Sequence, residues 1–328
     1  MEMLIAWILR TVSFGTIILF GAMGEIITEK SGNLNLGVPG IMYLGGFAGF
    51  AVAYLYEFSS PQYIPFVGMV LAVVCAFLAA ILGGLIYSFI TITLRANQNV
   101  TGLALSIFGQ GVANFFGAFL LNGKTVTQTA VHHVFQAKIP FLSGLGVPGQ
   151  ILFSYGFMVY GAIALAFFLQ HLLNRTRVGL NLRAVGENAA TADAAGVNVT
   201  RYKYMATCLG AGISGLGGLF YVLDYNNGIW ATTDQIEALG WLAVALVIFA
   251  TWKPRNAIWG SYLFGMLYWL YQYLLPLLGI TVSSYATDLI QMVPYVVTIV
   301  VLIITSLRKK QEDQPPQNLG IAYFREER

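Results

Sequence analysis

Long apolar stretches succeed one another along the chain, and only short polar segments separate them. A helix that crosses the hydrocarbon core of a bilayer needs about 20 apolar residues. Windows that approach or meet this length lie at residues 4–27, 38–56, 66–94, 99–121, 151–173, 204–224, 238–252, 257–277 and 285–307. Because a helix satisfies its own backbone polar groups inside hydrocarbon, the sequence predicts an all-α, polytopic membrane protein of about nine transmembrane helices.

The composition agrees with insertion into a membrane. Of the 328 residues, 57% are hydrophobic and 9% are charged, whereas soluble domains carry about 25% charged residues. The net charge of +3 comes from scattered basic residues, which do not indicate a nucleic-acid partner. Cys75 and Cys208 both lie in apolar windows, and they form neither a disulfide framework nor a metal motif.

The distribution of Lys and Arg predicts the orientation, because basic residues concentrate in the loops on the inner side of a membrane. With the amino terminus outside, fourteen of the 17 basic residues fall inside and two, Lys124 and Lys138, fall outside. The remaining one, Arg10, lies early in the first window and could reach the outer interface. We therefore expect a cytoplasmic carboxyl terminus.

The nine windows divide into four, one and four, and the two groups of four have opposite orientations, as in an inverted repeat. In each group a Gly- and Asn-rich break precedes the second window: the first break is residues 31–40, and the second break is residues 226–240. Matched breaks of this kind point to a translocation site, since unwound backbone is tolerated at depth where it lines a cavity. The alternative interpretation is that both breaks are ordinary connecting turns.

Catalytic motifs are missing from the chain. The serine of "GISG" (212–215) would need a base, but the three histidines all lie upstream. A phosphate-binding loop needs a Gly five residues before Gly123, where Ala118 stands. A row of buried carboxylates, which proton-coupled carriers use, is not evident either. The sequence predicts a protein that is not an enzyme.

Residues 174–203 form a polar, Ala-rich segment between the fifth and sixth windows. The pattern "ENAATADAAGV" favours a helix that stops at Gly196, and such a helix at an inner membrane surface is suited to docking a soluble partner. A simple interfacial loop is the alternative. Residues 1–310 are predicted to form the membrane domain, and residues 311–328, which are polar and contain two prolines, a disordered cytoplasmic tail.

Three stretches together resemble a known family. "AVGENAATADAAGVNV" (184–199) is similar to the coupling-loop signature of ATP-binding-cassette (ABC) importer permeases. "GEIITEKSGNLNLGVPGIMYLGGFAG" (24–49) and "WLAVALVIFATWKPRNAIWGSYLFG" (241–265) resemble blocks of the branched-chain amino acid, ribose and nucleoside permeases, especially the nucleoside and simple-sugar subgroup. One departure is that Val38-Pro39 stand where the family usually has a Glu. We call residues 174–203 the coupling segment.

The resemblance implies a type II ABC importer fold and a set of partners. Two permeases, often different paralogues, would form a pore above an ATPase with two cassettes, which would hold ATP and magnesium, so that this chain binds no cofactor. An extracellular lipoprotein of the basic-membrane-protein type would deliver the substrate to a bacterial plasma membrane. The resemblance implies nucleoside import, with simple-sugar import as the alternative and an ATPase-independent secondary carrier as a hypothesis from another class.

Two sets of candidate site residues follow. The coupling residues that match the family motif are Gly186, Glu187, Asn188, Ala192 and Gly196. A neutral, polyhydroxylated substrate would need amide and hydroxyl groups along its pathway rather than charges, and such groups near the first break and along the fourth window are Asn33, Asn35, Asn97, Gln98, Asn99, Gln110 and Asn114. For this second set the alternative is structural: these side chains would satisfy unwound backbone or tie helices together.

Overall fold

The computed structural model describes residues 2–120, 126–139, 144, 146–231, 235–277, 279, 284–308 and 314–324. Its helices are α1 (Glu2–Lys30), α2 (Val38–Ser59), α3 (Pro65–Ser88), α4 (Gln98–Leu120), α5 (His132–Phe135), α6 (Gly146–Phe153), α7 (Phe157–Arg175), α8 (Arg177–Glu187), α9 (Ala189–Ala194), α10 (Val199–Phe220), α11 (Gln235–Phe249), α12 (Pro254–Tyr268), α13 (Leu270–Leu277), α14 (Ser284–Gln291) and α15 (Val293–Arg308). One π-helical turn follows α3 (Phe89–Thr93) and another follows α10 (Tyr221–Tyr225). Two strands, β1 (Val126–Gln128) and β2 (Ile229–Ala231), complete the fold.

Six helices are long and apolar enough to cross a membrane, which agrees with the prediction of a polytopic helical protein. They are Glu2–Lys30, Val38–Ser59, Pro65–Thr93, Gln98–Leu120, Phe157–Arg175 and Val199–Tyr225. Several begin with signals readable from the sequence: Pro39 and Pro65 stand in the first turns of α2 and α3, where a missing N–H leaves no helical bond unmade.

The last three predicted windows contain shorter helices. Window 238–252 corresponds to the 15-residue α11. Window 257–277 divides into α12 and α13 at Trp269, and window 285–307 divides into α14 and α15 at Met292. Pro294 follows the second division and stands in the first turn of α15, where its missing N–H leaves no helical bond unmade. Long uninterrupted spans are therefore found in the first two thirds of the described chain.

Helices α1 and α10 form the centre of the molecule. Of the apolar window in Val199–Tyr225, 83% is buried, against 28% in Gln98–Leu120. Where α1 and α10 cross, Gly24 and Gly210 meet, and a Cβ added to either one would overlap the carbonyl oxygen of the other. The absent side chains thus let two helix backbones touch, as small residues do in membrane proteins generally.

The helices that follow the central pair exchange partners. Helix α2 packs against α10, and α11 packs against α1. The starts of α2 and α11 also meet each other, because Gly240 lies against the ring of Pro39. Helix α1 therefore contacts α11, which follows α10, and α10 contacts α2, which follows α1.

A small sheet departs from the all-α prediction. Strands β1 and β2 pair antiparallel, with Thr127 opposite Trp230. A turn at Asn227 and Gly228, both with positive φ, leads into β2. The sheet ties the connection after α4 to the second break, which the apolar pattern alone could not reveal because each strand has three residues.

The prediction of a disordered tail is wrong for residues 314–324, which pack against the rest of the chain. The Asn318 N–H donates to the Gly186 carbonyl at 3.0 Å, and the Gly320 N–H donates to the Gly32 carbonyl at 3.1 Å. Leu319 packs on the main core, and Pro316 is buried. Polar composition suggested disorder, but these backbone bonds and apolar contacts depend on the fold of distant residues.

Candidate functional site

The coupling segment consists of two short helices rather than one. Thr176 caps α8 by accepting a hydrogen bond from the Gly179 N–H at 3.1 Å. Asn188 ends α8 and caps α9, since its side chain accepts from the Thr191 N–H at 2.9 Å. A third cap, Asn198, accepts from the Arg201 N–H at the start of α10. Because polar caps satisfy otherwise free N–H groups, the segment has a defined shape.

Two glycines of the predicted coupling set have different roles in this shape. Gly196 has a φ of +86° and ends the turn after α9, as predicted, and a Cβ there would meet no atom within 4 Å. Gly186 is buried against the end of α1, where an added Cβ would overlap the Lys30 carbonyl oxygen and approach Gly32. Gly186 is therefore the point at which the coupling segment touches the first break.

The other members of the coupling set divide between exposed and buried positions. The side chains of Glu187 and Asn188 are exposed. Ala192 is only 4% exposed and belongs to a small cluster with Val185, Ala189 and Val199. Its side chain packs inside this cluster, where it stabilises α9 against the start of α10.

The tail lies along the coupling segment and touches both of its helices. The Gln317 N–H donates to a Glu187 carboxylate oxygen at 3.3 Å, and the Tyr323 hydroxyl donates to Asp193 Oδ2 at 2.8 Å. Together with the bonds of Asn318 and Gly320, these contacts join the coupling segment, the tail and the first break in one hydrogen-bonded unit.

The first break is non-helical over residues 31–37, and neighbouring elements satisfy its backbone. Gln98 Oε1 accepts from the Leu34 N–H at 2.7 Å, and Asn35 Oδ1 accepts from the Gly37 N–H at 2.9 Å. The hydroxyls of Tyr87 and Ser106 donate to the carbonyls of Leu34 and Leu36, respectively. These bonds hold the backbone of the break in place, and Asn35 and Gln98, which take part in them, are 1% and 4% exposed.

The remaining predicted pathway residues are not all brought together. Asn33 is buried, donates to the Thr207 hydroxyl at 3.0 Å, and has a side-chain oxygen without a partner among the described residues. Asn97 and Asn99 are exposed, and Asn97 caps the start of α4 through the Val100 N–H. Gln110 and Asn114 are half-buried one turn apart on α4.

Sequence reasoning missed two buried carboxyl groups, Glu25 and Glu29, which lie one turn apart near the end of α1 and are 1% and 2% exposed. Glu25 accepts from the Asn35 N–H at 3.0 Å, and Glu29 accepts from the Trp252 indole N–H. The signal was present as two acids four residues apart, one inside the first apolar window and one just after it. Glu25 therefore bonds to the backbone of the first break, and Glu29 bonds to Trp252 next to the end of α1.

A second group that sequence reasoning missed forms an aromatic cavity of about 160 Å³, lined by Arg10, Phe14, Tyr221, Tyr225, Gln235 and Trp269 together with parts of α11, α12 and α15. The Arg10 guanidinium lies 3.8 Å from the centre of the Tyr225 ring, and the Tyr221 hydroxyl donates to the Gln235 side chain. Since Arg10 and Lys30 are twenty residues apart on one helix, the cavity lies about 30 Å from the coupling segment.

Metal chemistry finds no support in the described part of the chain, where no three His, Cys, Asp or Glu side chains form a group that could hold an ion. His132 and His133 have ring centres 3.9 Å apart, and His132 Nδ1 lies 2.7 Å from the Thr129 carbonyl oxygen. This pair therefore helps to shape the connection after α4.

Comparisons with known proteins identify relatives over most of the chain. The family model described as branched-chain amino acid transport system / permease component matches residues 7–302. A putative glucose ABC transporter permease protein of Haloferax volcanii is 32% identical over 78% of this chain and 74% of its own length. The guanosine ABC transporter permease protein of Bacillus subtilis is 31% identical over 89% of both chains. The nucleoside ABC transporter permease protein NupC of Lactococcus lactis is 29% identical over 88% of both chains. No solved structure matches the chain.

Proposed function

The chain belongs to the family of branched-chain amino acid transport system permease components, and we propose that it is the permease subunit of an importer for nucleosides. A permease of this family is a non-catalytic, multi-pass membrane subunit of an ABC importer, and it works with an ATPase and a substrate-binding protein. This membership places the chain apart from ATPase-independent secondary carriers.

The observation that carries the nucleoside proposal is the share of the chain over which two relatives align with it. The guanosine and nucleoside permeases align with this chain over 88% or more of both lengths. Simple-sugar import is the second candidate, because the relative described as a putative glucose permease has an identity of 32%. The two candidates differ in whether the substrate carries a heteroaromatic base.

The aromatic cavity supports a base-bearing substrate. Aromatic side chains stack on flat heterocycles, and the cavity brings Phe14, Tyr225 and Trp269 near the amide of Gln235. An amide can both donate to and accept from the edge of a base. We place the substrate pathway through this cavity and along the side of α4 that bears Gln110 and Asn114; the side-chain oxygen of Asn114 is buried without a partner in the described chain.

We further propose the nine-span, four-plus-one-plus-four inverted repeat for the membrane domain. Support comes from the reciprocal contact of Gly24 with Gly210 and from the exchange of partners between α1–α11 and α10–α2. In this arrangement α11, α12–α13 and α14–α15 occupy the places of α2, α3 and α4. The carboxyl terminus and the coupling segment are then cytoplasmic, as the basic residues indicate.

The proposed assembly contains a second permease paralogue, an ATPase with two cassettes that binds ATP and magnesium, and a lipoprotein that delivers the substrate at a bacterial plasma membrane. The ATPase would contact the coupling segment through its exposed side, at Glu187, Asn188 and the turn at Gly196. Movement of that segment would reach the first break through Gly186 and the tail, because both contact residues 30–32.

Competition for uptake tests the substrate proposal. Cells with and without a deletion of this gene are given labelled guanosine, and unlabelled adenosine, uridine, ribose or glucose is added in excess. We expect deletion to abolish high-affinity guanosine uptake, and we expect the nucleosides but not the sugars to compete. Competition by glucose alone would favour the second candidate and refute the first.

A further inference from the structure

A cavity of about 740 Å³ lies beside the coupling segment, at the opposite end of the molecule from the aromatic cavity. Its walls come from the start of α10, the turn after α9, the end of α3 with its π-helical turn, and the tail. Its polar lining includes Lys203, Arg95, Arg201, Asn33, Asn198 and Tyr323. Asp193 and Gly196 of the coupling segment form part of its wall, but neither the coupling function nor the substrate pathway proposed above assigns a ligand to this cavity.

Lys203 is the residue that most needs explanation. It is 3% exposed and lines the cavity, and no hydrogen bond or ion pair joins it to any residue within the described ranges. An ammonium group removed from water without a partner is costly, and buried charges in proteins are normally paired. An anion in the cavity would supply the missing partner.

The surroundings of Lys203 are also positive. Arg95 and Arg201 line the same cavity and are exposed at its rim. The amino-terminal end of α10, a helix of 22 residues, opens into it at Asn198 and Val199, and such an end carries a partial positive charge. The acid in the lining is Asp193, which accepts a hydrogen bond from the Tyr323 hydroxyl. The field in the cavity therefore favours a ligand with more than one negative oxygen.

A second polar group in the lining, the side-chain amide of Asn33, also indicates the chemistry of the ligand. The side-chain oxygen of Asn33, another lining residue, is buried without a hydrogen-bond partner in the described chain. A buried acceptor of this kind requires a donor. A ligand that fits both groups has anionic oxygens for Lys203 and a hydroxyl for Asn33, which is the chemistry of a phosphate ester of a polyol such as glycerol.

We propose that this cavity binds a phosphate ester, with Lys203 paired to the phosphate and Arg95 and Arg201 holding its outer oxygens. The ester can come from an anionic phospholipid, because Ile92 and the exposed Met205 provide an apolar rim, or from a soluble phosphorylated metabolite. Since Tyr323 and Ala322 of the tail form one wall, bound ligand would hold the tail against the coupling segment.

The test uses the full-length permease, purified in detergent and stripped of lipid. In one arm, inorganic phosphate and glycerol phosphate are titrated while thermal unfolding is followed. In the other, the protein is placed in nanodiscs of phosphatidylcholine with or without phosphatidylglycerol, and retained lipid is counted by native mass spectrometry. Lys203→Gln and Arg95→Gln are compared with Arg175→Gln, which removes an exposed charge on the same face outside the cavity.

We expect Lys203→Gln to weaken binding by about tenfold or more, as loss of a charge-assisted bond does, while Arg175→Gln binds like wild type and Lys203→Arg retains most of the affinity. Binding in the first arm alone identifies a soluble ester, and binding in the second alone identifies a lipid. Equal binding by all variants in both arms overturns the proposal. So does a Lys203→Gln protein that binds both probes normally but no longer co-purifies with its ATPase, because the amine would then serve a protein contact.

Discussion

Substitution of Gly186 would disturb the contact between the coupling segment and the first break most directly. In Gly186→Ala, the added Cβ would overlap the Lys30 carbonyl oxygen and would lie 3.0 Å from the Lys30 carbonyl carbon and 3.2 Å from the Gly32 nitrogen. Carbon atoms pack best at about 3.5 to 4.0 Å, so the segment must shift by about 0.5 to 1 Å. Its neighbours there are backbone atoms, which cannot rotate away as a side chain can.

The energy of this shift can be bounded. Overpacking a close contact costs about 1 to 3 kcal/mol, and the bond from the Asn318 N–H to the Gly186 carbonyl, worth about 1 kcal/mol, would be strained as well. A change of 1 to 2 kcal/mol alters an equilibrium ratio by a factor of about 5 to 30. We therefore expect Gly186→Ala to transport severalfold less substrate per ATP hydrolysed than the wild type does.

The assay is uptake and ATP hydrolysis measured together on the assembled importer in proteoliposomes. Gly161→Ala is the matched control, because it makes the same change inside a long helix where no atom lies within 4 Å of the new Cβ. Both variants are first checked for monodispersity and for retention of the ATPase. If Gly186→Ala transports as much substrate per ATP as Gly161→Ala, the contact does not transmit the motion and the reasoning fails.

Three further outcomes are expected. Gln98→Leu leaves the Leu34 N–H without its acceptor and should lower the free energy of unfolding by about 1 to 3 kcal/mol, whereas Asn99→Leu on the exposed side should change it little; equal thermal stabilities would contradict the role of Gln98 in the first break. Gln235→Ala should reduce nucleoside uptake with the complex intact, and a wild-type uptake rate would remove the aromatic cavity from the pathway. Deletion of residues 314–328 should make the coupling segment more accessible to proteolysis, and an unchanged cleavage pattern would show that the tail does not hold it.

The sequence predicted the long helices well because their signals are local: apolar length and the proline at the start of α2 act within one or two helical turns. The coupling segment was predicted as one helix, whereas Asn188 divides it into two. The shorter helices of the last third were merged into continuous windows, since the interruptions at Trp269 and Met292 stand inside apolar sequence.

The candidate site was less predictable because its contacts join distant residues. Asn35 and Gln98 were assigned to the pathway from their chemistry, but their positions 63 residues apart in the chain gave no sign that both would satisfy one backbone break. Arg10 is a charge in an apolar window, yet its partners Tyr225 and Trp269 lie far along the sequence. Composition could not distinguish a disordered tail from one that fits a surface formed elsewhere.

Reconstitution tests the account as a whole. The permease, its paralogue and the ATPase are assembled in proteoliposomes, binding protein loaded with labelled guanosine is supplied on one side, and ATP is supplied on the other. We predict that guanosine accumulates only when ATP is hydrolysed and that excess uridine, but not excess glucose, reduces its accumulation. Guanosine accumulation without ATP hydrolysis, or accumulation of glucose in place of guanosine, would contradict the assignment of this chain to an ATP-driven nucleoside importer.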